Sequence, residues 1–279
     1  MRVKTLLVCL TTPEHADCLM KIAVPLARKH GAHLTALHTV EALVVYPGIA
    51  MHIPDTAFES FMESQKRETL EIKAVFNRHT ENEDFPSEFR LVRAESTSAN
   101  ERMVESARAA DLVIMAHEDK VADRYTQRHA QAEVIRDSGR PVIVVPLGYD
   151  GPEIGETILL GWSDTREAAR AAHDLLSIAQ DDADVTVLRV SDTPKDPLAD
   201  SDGIDVVEMY ARHGLKATLE HHPRLGHNVA NVLSEVAFEK GADLIVTGAF
   251  GHSRTYDFVI GATTHALLRD AKLPVLFSK

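Results

Sequence analysis

Apolar and polar positions along this 279-residue chain fall into two kinds of run. Short unbroken apolar stretches occur at 6–10 (Leu-Leu-Val-Cys-Leu), 112–115 (Leu-Val-Ile-Met) and 142–145 (Val-Ile-Val-Val). They lack the alternation of a half-exposed strand, so they predict strands buried on both faces, as in a parallel sheet covered by helices. Between them, Ala16, Leu19, Met20, Ala23 and Ala27 recur at helical spacing, with Gly31 placed as a C-terminal stop. Ala168, Ala171, Ala172, Leu175 and Ala179 repeat that pattern later in the chain. There, Asp164 and Glu167 are spaced as an N-cap and its third-position partner.

The whole order of landmarks occurs twice. The opening run at 6–10 answers to 157–161, the run at 32–38 to 183–189, Ala109-Ala-Asp-Leu to Gly241-Ala-Asp-Leu, and Pro141-Val-Ile to Pro274-Val-Leu. The offset falls from about 151 to about 132 residues, so the first copy holds roughly 19 extra residues. They lie between Val40 and Asn77, where Phe58, Phe61, Met62 and Ile72 predict an added or longer helix. Each copy reads β-α-β-α-β-α-β-α-β. The expected fold is therefore α/β: two tandem doubly wound parallel five-stranded sheets, packed as a pseudo-dimer. We expect domains at 1–147 and 155–279, joined by the glycine-rich stretch 147–156. Ligands of such sheets sit beyond the carboxyl ends of the strands, where strand order reverses.

Charge narrows the partners. Thirty basic residues against 42 acidic ones leave a net −12, unsuited to nucleic acid or to an anionic membrane surface. No apolar run approaches a membrane span, and Cys9 and Cys18 alone do not make a disulfide scaffold. The expectation is a cytoplasmic protein.

The chemistry concentrates after the fourth strand of the second copy. Gly248, Gly251 and Gly261 have two and nine residues between them, and a helical segment follows at 263–270. Glycines let a ligand approach the backbone, and the unpaired amides of a helix start suit a phosphate. Ser253, Thr263 and Thr264 offer hydroxyls there; His252 and Arg254 offer cationic donors. The same glycines also fit plain turns in a surface loop. In the first copy, Glu118 and Asp119 stand where the second has Phe250 and Gly251. That copy is expected to bind a triphosphate poorly.

Gly-x2-Gly-x9-Gly followed by small and hydroxyl residues, placed between the fourth strand and a helix, resembles the universal stress protein family. The resemblance covers nearly the whole chain, once per half, and is closest to tandem two-domain members. Residues 249–254 (Ala-Phe-Gly-His-Ser-Arg), 274–276 and 166–170 are especially like that subgroup. It implies ATP or AMP, with or without Mg2+, held in the second half only. The phosphates would meet Gly248, Gly251, Gly261, Ala262 and Thr264, with Ala262 departing from the Ser of many binders. Adenine and ribose would meet Gly161, Trp162, Ser163 and Asp164, where Ser163 occupies the family's acidic position and Asp164 follows one place late. In the first half the corresponding loop, Thr11-Thr12-Pro13, has no acid.

No catalytic set emerges: the sequence has no Gly-x4-Gly-Lys-Ser/Thr, no Gly-x-Ser-x-Gly and no His-Glu-x2-His. The resulting expectation is a non-catalytic stress-response module, with an interaction scaffold lacking nucleotide, or a slow ATPase, as alternatives. His221 and His222 close a strand and point to opposite faces, so they do not suit one metal; no metal site is assigned. Trp162 suits either stacking on adenine or covering the sheet end. Cys9 reads as a buried small hydrophobe. The stretch 46–77 either covers the first-half site or contacts a second copy, and a homodimer beyond the internal pseudo-dimer is left open.

Overall fold

A computed structural model describes residues 2–41, 55–94, 98–118, 129–151, 153–192, 200–251 and 261–279. The first half runs β1 (Thr5–Cys9), α1 (Pro13–His30), β2 (His33–Glu41), α2 (Asp55–Thr80), β3 (Ser87–Ala94), α3 (Ala99–Ala107), β4 (Leu112–Ala116), α4 (Ala130–Asp137) and β5 (Val142–Val145). The second repeats it as β6 (Thr157–Trp162), α5 (Arg166–Leu175), β7 (Asp184–Val190), α6 (Ser201–Arg212), β8 (Lys216–His222), α7 (Val229–Glu239), β9 (Leu244–Gly248), α8 (Ala262–Asp270) and β10 (Val275–Ser278).

All strands join one ten-stranded sheet in the order β3-β2-β1-β4-β5-β10-β9-β6-β7-β8. Every neighbouring pair is parallel except β5 and β10, which run antiparallel, with Ile143 opposite Leu276 and Val142 opposite Phe277. The two five-stranded halves thus meet edge to edge. Because the sheet is continuous, so are its two cores. On one face α1, α2, α5 and α6 cover Leu6, Val8, Ile114, Leu160 and Val246; on the other α3, α4, α7 and α8 cover Leu7, Cys9, Val144, Ile245 and Phe277. Burial of that kind, at about 25 cal/mol per Å2, drives the fold.

Local signals act as the sequence suggests in α1: the five predicted positions are wholly buried, and Gly31 ends the helix at φ 57°. The extra residues of the first half lengthen α2 to 26 residues against 12 in α6. Only its later turns reach the core, through Ile72 and Phe76; Phe58 is 46% exposed. The repeated Ala-Asp-Leu also acquires a reason. Asp111 accepts the amides of Lys4 and Thr5 at 2.7 and 3.0 Å, and Asp243 accepts those of Gly155, Glu156 and Thr157 at 2.6–2.8 Å. Each aspartate fastens the start of its half's first strand. At the far end of α1, His30 Nε2 donates to Ser177 O at 2.7 Å, and Lys29 Nζ donates to Ile178 O and Ala179 O, tying the halves a second time.

Candidate functional site

The candidate site is built at the carboxyl ends of β6, β7 and β9. Strand β6 ends in Gly161-Trp162, and a short turn leads to α5. Thr165, not Asp164, caps that helix: its Oγ1 accepts the Ala168 amide at 3.2 Å. The threonine stands one residue nearer the helix, and its backbone is extended as a cap requires. Ser163 Oγ lies 3.3 Å from the same threonine hydroxyl.

Asp164 is instead drawn to Arg189 near the end of β7, at 2.6 Å from Nη1. That guanidinium also binds both oxygens of the fully buried Asp200 (2.5 and 2.8 Å) and Asp202 Oδ2 (2.7 Å). His221 Nε2 reaches Asp200 at 2.7 Å, and Trp162 donates its indole N–H to Asp202 at 3.1 Å. Burial works against the charge on Arg189, but the bonds from Asp200 and Asp164 outweigh it and push its pKa further up. Arg189, Asp200 and Asp202 are what the sequence reading missed, and His221, considered there only as a metal ligand, is a partner of Asp200. A charged residue inside the apolar run of β7 was the available signal. His222, on the other face of β8, lies 3.5 Å from Glu220. Among the described residues no group of three or more ligating side chains is placed to hold a metal ion.

Gly248 ends β9 against the first turn of α5. A Cβ there would stand 2.6 Å from the backbone of Glu167 and Ala168, and one on Gly251 would stand 3.0 Å from Glu167 Oε2. Both glycines therefore have packing partners within the protein. Glu167 is buried and pairs with the exposed Arg166 at 2.6 Å. Phe250, between them, takes φ 66°, and Lys279 Nζ sits 5.6 Å from its ring centre. Gly261 forms the N-cap of α8 and has no side chain to bond to the helix, so the N-cap residue itself satisfies none of the first-turn amides through a side chain. Ala262 is exposed, Thr263 half-buried and Thr264 buried, its Oγ1 3.8 Å from a Cβ position on Gly261. His252, Ser253 and Arg254 lie outside the described residues.

In the first half, His117 follows β4 where Ala249 follows β9; both amides bond to the neighbouring strand's end, Val145 O and Ser278 O, at 2.8 Å. Asp119 and residues 46–54 fall outside the described residues.

The model of the universal stress protein family matches residues 2–146 and again 156–279. The chain belongs to the universal stress protein family. A universal stress protein of Synechocystis is 27% identical over 179 residues, which is 60% of this chain and 57% of that protein. The match thus spans little more than half of the relative's length. Among solved structures, a universal stress protein from Archaeoglobus fulgidus overlaps 98% of this chain and 96% of its own at a TM-score of 0.68 and 14% identity, which shows the shared fold. Another from Archaeoglobus fulgidus was solved in complex with dAMP; it covers 52% of this chain and 98% of its own at 13% identity, and its TM-score of 0.34 places no ligand here. Among the described residues, no helix is long and apolar enough to cross a membrane.

Proposed function

We propose that this universal stress protein is a non-catalytic regulatory module whose second half, 155–279, binds ATP or AMP, while the first, 1–147, is mainly structural. The observation that carries the reading is the start of α8, where Gly261 supplies no side-chain cap. The helix's first-turn amides, which the N-cap glycine does not bond, follow the glycine loop and suit phosphate oxygens, with Thr263 and Thr264 as added donors. Trp162, steadied by Asp202, gives adenine a fixed ring, and Asp164, held by Arg189 with its side chain largely exposed, stands on the same turn to meet a ribose hydroxyl. Among the described residues of this set none is arranged as a nucleophile with its base, which favours a ligand-responsive module over a hydrolase. Two cysteines in a chain of 279 residues fit a reducing compartment better than a disulfide scaffold, and we assign the cytoplasm.

One observation favours the alternative, a scaffold without nucleotide: the Glu167 carboxylate already lies against Gly251. Calorimetry with Mg-ATP and AMP separates the two. Nucleotide binding predicts saturable heat for the wild type and a loss of about 100-fold in Gly251→Asp, roughly 2.7 kcal/mol, because the new carboxylate repels phosphate. No heat in the wild type leaves the scaffold reading.

A further inference from the structure

A second cleft of about 510 Å3 opens away from the glycine loop. Its walls come from both halves and the connection between them: His117 and Glu118 after β4, 146–150 after β5, and Arg269, Ala271 and Lys272 between α8 and β10. That volume suits a small molecule. His117 is 9% exposed and its Nε2 is enclosed without a hydrogen-bond partner. A buried polar atom left in that state calls for an explanation, and a bound water or ion is one of them. The equivalent residue of the other half is a fully buried Ala249, so repetition of the fold does not require an imidazole here.

The charges on the walls define what fits. Arg269 is committed to Asp270 by three bonds of 2.6–3.0 Å, and Asp150 binds Lys21 at 2.8 Å. Among the described residues, the Glu118 carboxylate has His129 as its ion-pair neighbour, at 4.0 Å. Among the described residues that leaves the ammonium of Lys272 and the weakly engaged carboxylate of Glu118. A phosphate dianion would meet Glu118, Asp150 and Asp270 as well as Lys272, and the chain's net −12 adds no attraction. Pro146, Leu147 and Ala271 add an apolar wall.

We infer that this cleft binds a small zwitterion of the amino-acid kind: its carboxylate to Lys272 and the His117 ring, its ammonium to Glu118, its aliphatic part against Leu147. The uncharged state of His117 fits a hydrogen-bond donor beside Lys272. Burial first, then the Lys272 charge, hold its pKa at about 4, with Asp270 opposing.

The test titrates the full chain with L-leucine, 4-methylpentanoate (no amine), 3-methylbutylamine (no carboxylate) and inorganic phosphate, following the His117 ring signals by NMR. L-Leucine should shift them saturably, each half-molecule should bind at least about tenfold more weakly, and Lys272→Ala should cost about tenfold. Lys272 is exposed, so that variant keeps the fold even where a His117 substitution does not. An unmoved His117 signal would mean that the orphaned nitrogen meets only an internal water, and the inference fails. It fails equally if phosphate or 4-methylpentanoate binds as well as L-leucine, or if Lys272→Ala leaves the affinity unchanged.

Discussion

A methyl group on Gly248 would stand 2.6 Å from the backbone of α5, and backbone cannot swing aside as a side-chain tip can. Gly248→Ala should therefore lower stability by about 1–3 kcal/mol in urea unfolding. Gly251→Ala, facing only the Glu167 carboxylate at 3.0 Å, should be the milder change. His117 gives a pH signature. Its folded pKa is about 4 against an ordinary 6.5, so between those values the unfolded chain takes up the proton first. Stability is full above pH 6.5 and falls as the pH drops toward 4, by about 3 kcal/mol in all. His117→Leu should flatten that slope in unfolding measured from pH 7 to 4. The glycine spacing was legible in the sequence, but not its partner: Gly-x2-Gly reads alike whether a phosphate or a helix comes close. Asp164 and Trp162 were visible as candidates, whereas Arg189 and Asp202 lie 25 and 40 residues away from them, beyond any local pattern.

At the scale of elements, the central strands follow the hydrophobic pattern closely, because a strand buried on both faces leaves an unbroken apolar run, whereas the edge strands β3 and β8 are partly exposed and mixed in sequence. Helix α2 shows where that signal thins. Its early turns bury little, so the sequence marked extra helix there without showing where it packs. The start of α5 went one residue astray for a similar reason. Asp164, Thr165 and Glu167 all suit a helix start, and the choice fell to an ion pair with Arg189 that lies outside the helix.

For the whole molecule, duplication was plain in the sequence, whereas the way the copies join was not. The joint is β5 against β10, two strands whose runs look no different from the others. Phe277, fully buried in a core layer shared by both halves, lies on that joint. Phe277→Ala should cost about 3–5 kcal/mol, read by chemical denaturation. The antiparallel seam also decides where binding can happen. Since strands on either side of it run in opposite directions, the ligand-facing rims of the two copies look away from each other. Nothing small can touch both. The protein is a double-ended bar, and any signal passed between its ends must cross the β5–β10 seam or the contacts of α1 with 177–179.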